Sequence, residues 1–122
     1  MTTRARKIVV GYDGSESSRR ALDAAADLAG YGSTLSVVTV QTPEVNGSAA
    51  REARTRLQAR HLEARYHQPV GEPAEQLLEK AAELEADVIV VGRRNGGPLD
   101  TLLGSVSSRV AGGASCDVLV VR

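Results

Sequence analysis

The chain has no Phe and no Trp, and its three Tyr make up the whole 2% of aromatic residues. The core must therefore be aliphatic, and there is little aromatic surface on which nucleic acid bases could stack. Neither sign of charge is in excess, since 15 Lys and Arg balance 15 Asp and Glu. A chain without net charge exerts no long-range attraction on nucleic acid or on an anionic membrane, so neither is predicted as a partner.

The sequence also contains a single cysteine and no long hydrophobic run. One thiol cannot form an intramolecular disulfide, and we interpret Cys116, in the segment GASCDVLVV, as a small buried side chain. The amino terminus has too few consecutive apolar residues for an export signal. The longest aliphatic runs, 88–91 and 118–121, are too short to span a bilayer. Together these features predict a cytoplasmic protein.

Hydrophobic residues make up 42% of the chain and charged residues 25%, a balance typical of soluble globular proteins. A chain of 122 residues buries roughly two thirds of its unfolded surface, which is enough for one sizeable core. We therefore predict a single domain over residues 1–122.

Short β-branched runs alternate with segments of helical periodicity. The runs predict strands at 8–10, 34–40, 61–68, 87–91 and 117–121, and the segments predict helices over about 15–30, 49–60, 73–85 and 105–114. This alternation favours an α/β fold, in which right-handed crossovers produce an open parallel sheet with helices on both faces.

The predicted helix over 49–60 has a thin apolar stripe, so we expect it to lie on the surface. Glu52 stands four residues before Arg56, a spacing that favours an ion pair on the helix face. Four arginines are interleaved with acids here and indicate a solvated face: Arg51, Arg54, Arg56 and Arg60.

Two predicted loops carry residues suited to ligand binding, because open parallel sheets bind ligands beyond the carboxyl ends of their strands. The first strand is followed by GYDGS, where the Asp13 carboxylate either contacts a ligand hydroxyl or satisfies amides at the helix start near Ser15 or Ser17. The fourth strand is followed by GRRNGG. Its backbone amides either hold a phosphate at the helix that begins near Ser105 or only let the chain turn.

Other sites find no support in the sequence. The segment GGPLDTLLGS lacks the lysine of a P-loop, and GYDGSE does not match the dinucleotide-binding fingerprint. His61 and His67 have no Cys or clustered carboxylate nearby, so no metal site is predicted. No serine has an evident His and Asp constellation, so no catalytic residue is predicted.

Three segments together resemble the universal stress protein family: KIVVGYDGSESSRRAL, VGEPAEQLLEKAAELEADVIVVG and LLGSVSSRVAGGASCDVLVVR. The resemblance extends over nearly the whole chain, and the segment 41–60 is the variable, shortened part. It implies a Rossmann-like, adenine nucleotide alpha hydrolase-like fold with a parallel sheet of strand order 3-2-1-4-5. That order brings the carboxyl ends of the first and fourth strands side by side.

The resemblance also implies a nucleotide site. Family members that bind ATP carry a G-x2-G-x9-G-[ST] loop, an Asp after the first strand and a Val after the second. Carried over by position, Asp13 would face the ribose, Val40 the adenine, and Gly92, Gly104 and Ser105 the phosphates.

The glycine loop departs from this pattern. Asn95 replaces the second glycine, and eight rather than nine residues separate it from Gly104. One residue spans up to about 3.5 Å, so at least one amide shifts unless Gly96 and Gly97 absorb the difference. Asn tolerates left-handed backbone conformations, which keeps Asn95 as a candidate contact.

The family resemblance implies a cytoplasmic regulatory protein of the stress response that binds ATP with Mg²⁺, or another adenine nucleotide. The alternative is a nucleotide-free member that acts as a dimeric protein-interaction module. Both interpretations imply a homodimer, paired through the aliphatic edge strand 117–121. Catalysis would extend at most to slow ATP hydrolysis.

Overall fold

Five strands and four helices alternate within the ranges that the computed structural model describes, residues 6–30, 32–43, 47–93 and 105–122. The strands are β1 (Lys7–Gly11), β2 (Thr34–Val38), β3 (Arg65–His67), β4 (Val88–Gly92) and β5 (Asp117–Val121). The helices are α1 (Glu16–Leu28), α2 (Gly47–Ala59), α3 (Pro73–Glu83) and α4 (Ser105–Gly113). None of the helices in these ranges has the length and apolar content needed to cross a bilayer.

The strands form one parallel sheet of order β3-β2-β1-β4-β5, which confirms the predicted fold class and strand order. β1 is the central strand and pairs with β2 on one side and β4 on the other. Ile8, Val9 and Val10 of β1 are each no more than 1% exposed, because helices cover both faces of the sheet.

The aliphatic core consists of two layers, one on each face of the sheet. Ile8 and Val10 point to the layer that contains Leu22 of α1 and Leu57 of α2. Val9 points to the opposite layer, formed with α3 and α4. Successive side chains of a strand alternate between faces, so the short run in β1 supplies both layers.

Helix α1 begins where Ser15 caps it, which decides between the two predicted caps. The Ser15 hydroxyl accepts a hydrogen bond from the amide of Ser18 at 3.2 Å. The helix ends at Leu28, before Gly30, because Ala29 adopts an extended conformation while its amide bonds back into the last turn.

Strand β3 is shorter than the predicted 61–68, and this part of the prediction was wrong. His61 and Leu62 close the end of α2 instead, and residues 63–64 precede the strand: the amide of His61 donates to the Gln58 carbonyl at 2.9 Å. His61 has a φ of 58°, a left-handed conformation that closes the helix. Strand β2 likewise ends at Val38 rather than residue 40, although the Thr39 amide still donates to the His67 carbonyl at 2.9 Å.

Helix α2 is packed more deeply than its thin apolar stripe predicts. Ala53 and Leu57 are 0% and 1% exposed, and Ala49 and Ala50 are also buried. A stripe of short side chains is narrow, but Ala49, Ala53 and Leu57 belong to the core layer on this face of the sheet, and that packing buries the stripe.

A buried tyrosine joins α1 and α2 to the end of β1. Tyr12 is 2% exposed, and its hydroxyl donates to Glu52 of α2. Arg19 of α1 donates to both oxygens of the same carboxylate, from Nε at 2.9 Å and from Nη2 at 3.1 Å. The predicted partner of Glu52, Arg56, binds Asp23 of α1 at 3.3 Å instead.

The protonation states of Tyr12 and Glu52 are set by burial and by the hydrogen bonds that join Tyr12, Glu52 and Arg19. Burial and the hydrogen bond to Glu52 raise the pKa of Tyr12 to about 12. The bonds from Arg19 and Tyr12 lower the pKa of Glu52. Tyr12 therefore stays neutral and donates, while Glu52 stays ionised and accepts.

We predict that alkaline pH weakens the fold through Tyr12. A tyrosine pKa of about 12 in the folded chain, against 10.0 when unperturbed, stabilises the fold fully below pH 10 and progressively less towards pH 12. Between pH 10 and 12 the free energy of unfolding should fall with pH more steeply for the wild type than for Tyr12→Phe. The difference between the two slopes should reach at most about 1.4 kcal/mol per pH unit. Urea unfolding between pH 8 and 11.5 measures both slopes, and parallel slopes would contradict the network.

Candidate functional site

A cleft of about 520 Å³ lies beyond the carboxyl ends of β1, β2 and β4. The strand order reverses at β1, so this is the position at which open parallel sheets bind ligands. Three of the predicted site residues line the cleft together: Asp13, Val40 and Gly92. The volume is within the range of small-molecule sites, roughly 300–1,000 Å³.

The cleft lining is mostly apolar, with polar groups from the β1–α1 loop, the first turn of α1 and the segment after β2. The aliphatic side chains come from two strands, the segment after β2 and two helices, and they are Val38, Val40, Leu77, Val91 and Val106. The hydroxyl groups belong to Ser15, Ser17, Ser18 and Thr42. Among the lining residues that the structure describes, Asp13 is the one charged side chain. Such a surface suits a ligand that combines a flat apolar ring with hydroxyl groups.

The Asp13 carboxylate has a local structural contact at the cleft. Its Oδ1 accepts a hydrogen bond from the Ser15 amide at 2.9 Å, and its own amide donates to the Ser18 hydroxyl at 3.3 Å. Between them Gly14 takes a φ of 86°, which L side chains rarely adopt. The loop is therefore tightly turned, and it holds the carboxylate at the cleft.

Gly92 ends β4 against the start of α1, and this close approach requires a glycine. A Cβ atom built at residue 92 would lie 2.4 Å from the Ser17 carbonyl oxygen and 3.0 Å from the Ser17 Cβ. Backbone cannot move aside as a flexible side chain can. The packing of β4 on α1 is thus one reason for a glycine here, whatever ligand the cleft holds.

The remaining predicted site residues belong to the segment after β4. Ser105 is the first residue of α4, and the next residue, Val106, lines the cleft, so the start of α4 is adjacent to it. Asn95 and Gly104 lie outside the described residues.

Several cleft residues were not singled out from the sequence. Leu77 has the periodicity of a core residue of α3, and Thr42 follows β2 in a segment that reads as loop. Tyr12 stands beside Asp13 and supports the loop through Glu52. In the sequence, the signal for this role of Tyr12 is only its position between an apolar strand and an acidic turn, because its partner Glu52 lies 40 residues further along the chain.

The histidines and the cysteine do not contribute to this cleft. Burial and the nearby Lys80 lower the pKa of the half-buried His67, while His61 is exposed. Cys116 is partly buried rather than buried as predicted, and this burial raises the pKa of its thiol, as expected of an unreactive thiol. In the described part of the chain, no three His, Cys, Asp or Glu side chains are grouped to hold a metal ion.

We predict that Gly92→Ala destabilises the fold by about 1 to 3 kcal/mol, because the new methyl group overlaps the Ser17 carbonyl. Gly112→Ala in α4 is the matched control, since nothing lies within 4 Å of its added Cβ. Alanine favours helices over glycine by up to about 1 kcal/mol, so this variant should be as stable as the wild type or more stable. Urea unfolding of both variants measures the difference, and equal stability would contradict the close contact.

The sequence matches the family model described as the universal stress protein family, over residues 4–68 and 43–122. Universal stress protein Rv1636 of Mycobacterium tuberculosis is 33% identical over 142 residues, which cover 96% of this chain and 96% of that protein. The crystal structure of Rv1636 superposes with a TM-score of 0.72 at 34% identity and covers 99% and 98% of the two chains.

A second solved structure, a universal stress protein in complex with cAMP, has a TM-score of 0.79 at 31% identity. The match covers 96% of this chain and 97% of that one. The sequence match, the strand order and these superpositions agree across the whole chain, and the chain belongs to the universal stress protein family.

Proposed function

We propose that the cleft binds an adenine nucleotide, and that ATP with Mg²⁺ is one such ligand. The observation that carries the proposal is the convergence of Asp13, Val40 and Gly92, from three separate strand ends, on one cleft. The similar universal stress protein solved with cAMP supports an adenine nucleotide as the ligand class.

The chemistry of the lining fits the parts of such a ligand. The aliphatic surface near Val40 and Leu77 offers contact to an adenine ring, and the Asp13 carboxylate is an acceptor for ribose hydroxyls. The phosphates would then lie towards Gly92 and the start of α4, where Asn95, Gly104 and Ser105 are the proposed contacts. Helix amino termini favour anions, which supports this direction.

The cleft fits Mg²⁺ only as a companion of the phosphates. Among its described residues one carboxylate, Asp13, lines the cleft, whereas Mg²⁺ prefers six oxygen ligands and commonly retains several waters. Hydrolysis is proposed to be slow at most, because the described lining residues include no histidine and no second carboxylate that could act as a base.

We predict that titration calorimetry detects binding of at least one of cAMP, AMP and ATP with Mg²⁺. Asp13→Asn keeps the shape and an acceptor for the Ser15 amide but removes the charge. Losing a charge-assisted hydrogen bond should weaken binding about tenfold to a hundredfold.

Asp27→Asn, at the far end of α1, is the control that removes the same charge and should bind as the wild type does. No heat and no thermal shift with any of the three nucleotides at millimolar concentration would overturn the proposal. Equal weakening by both variants would show that Asp13 is not a specific contact.

We propose a second role, as a homodimeric protein-interaction module, because β5 forms an apolar edge of the sheet. Its sequence is DVLVV, and Leu119 is 38% exposed. An edge strand presents unpaired backbone groups, and a two-fold copy of the same strand can satisfy them. The proposed setting for either role is the cytoplasm during stress.

We predict a dimer in solution at micromolar concentration, measured by light scattering. Leu119→Lys should shift it to the monomer, because a charge would be buried against its own copy. Val70→Lys is the matched control, since Val70 is 77% exposed and lies beyond β3 at the other edge of the sheet. A wild-type monomer at this concentration would contradict the pairing through β5.

A further inference from the structure

The arginines of α2 and Arg60, which follows this helix, divide into two groups by their partners. Arg56 and Arg60 point to α1, where they bind Asp23 and Asp27. Arg51 and Arg54 are exposed, and neither has an ion pair in the part of the chain that the structure describes. The predicted solvated face is thus divided: two of its arginines bind α1, and the other two form an exposed cationic surface.

A groove of about 510 Å³ lies beside Arg54 of α2, between the turn that follows this helix and the amino ends of β2 and β3. The Arg54 guanidinium stacks over the Tyr66 ring at 4.7 Å from the centroid, and Gln58 stands one turn further along α2. Arg65 also lines the groove, and it has no ion pair among the described residues. The groove is separate from the cleft described above, and the two share no lining residue.

The outer side of β3 is an edge of the sheet. β3 pairs only with β2 in the described structure, and the His67 carbonyl accepts from Thr39 on that side. Successive residues of a strand direct their backbone groups to opposite sides, so the N–H and C=O of Tyr66 face outwards. A row of backbone groups at an edge can pair with another extended chain.

We propose that the groove and the β3 edge dock an extended acidic segment of a partner protein by strand addition. Backbone pairing with Tyr66 would supply affinity, and carboxylates on the α2 face of the added strand would meet Arg51 and Arg54. Arg54 and Arg65 line the groove together with one acidic residue, Glu63. Arg51 is also exposed and stands three residues before Arg54, on the same side of α2. Such unmatched charge selects an acidic partner over a basic one.

The position of this surface allows it to act together with the other proposed sites. β3 and β5 are the two opposite edges of the sheet, so a dimer paired through β5 leaves β3 open. Helix α2 borders the groove through Arg54 and holds Tyr12 beside the cleft through Glu52. The docking proposal does not depend on nucleotide binding, because it rests on other residues.

The probe for this surface is a fluorescein-labelled decapeptide of alternating Glu and Val, titrated by fluorescence anisotropy at low salt. We expect the double variant Arg51→Ala, Arg54→Ala to bind it about tenfold more weakly, since each exposed ion pair contributes modestly. The matched control is Arg20→Ala, Arg122→Ala, which removes the same charge near β5 and should bind within about twofold of the wild type.

Two further ligands test how the peptide binds. A decapeptide of alternating Glu and Pro carries the same charge but lacks half of its amide donors, and we expect it to bind at least about tenfold more weakly. Millimolar inorganic phosphate should not displace the Glu and Val peptide.

Each opposite result would overturn the proposal. Equal binding of the proline peptide would exclude strand addition, and displacement by phosphate would identify a small-anion site instead. Equal weakening by both double variants would indicate diffuse electrostatic attraction, and failure of the wild type to bind the probe below millimolar concentration would exclude the surface altogether.

Discussion

The double pairing of β1 is the constraint on which the rest of the structure depends. Because β1 pairs with β2 on one side and β4 on the other, β2 and β3 lie on one side of β1 and β4 and β5 on the other. The order in which strands are added therefore reverses at β1. The helices that follow β1 and β4, α1 and α4, then pack on opposite faces of the sheet, and the cleft lies at the strand ends where the order reverses. The same central position buries both faces of β1, and this explains its purely aliphatic run.

The cleft is shaped as much by close packing as by its polar groups. Gly92 lets β4 end directly against the Ser17 carbonyl, and Gly14 lets the opposite loop turn with a positive φ. Tyr12 then ties this loop to α2 through Glu52, while Arg19 adds a second helix to the same carboxylate. The position of Asp13 is therefore determined by contacts within the protein, some of them at the cleft and some outside it.

The segment between β2 and β3 has different consequences on the two sides of α2. One helix of 13 residues covers this part of the sheet. Its inner side does so with alanines and Leu57, and its acidic residue Glu52 is used to anchor Tyr12. No exposed acid of α2 then remains beside Arg51 and Arg54, so its outer side is cationic although the whole chain has a net charge of zero.

The sequence by itself determined the class of fold, the order of its elements and three residues of the cleft. Hydrophobic periodicity is a local property, so β1, β4, β5 and the long amphipathic helices could be predicted within a few residues, and Asp13, Val40 and Gly92 followed from strand ends and family resemblance. Tertiary structure decided what depends on distant neighbours: the short β3, the burial of α2, the partner of Glu52 and the contact that requires Gly92. Each of these is a contact between residues far apart in the chain, and local patterns carry no information about which distant atoms will meet.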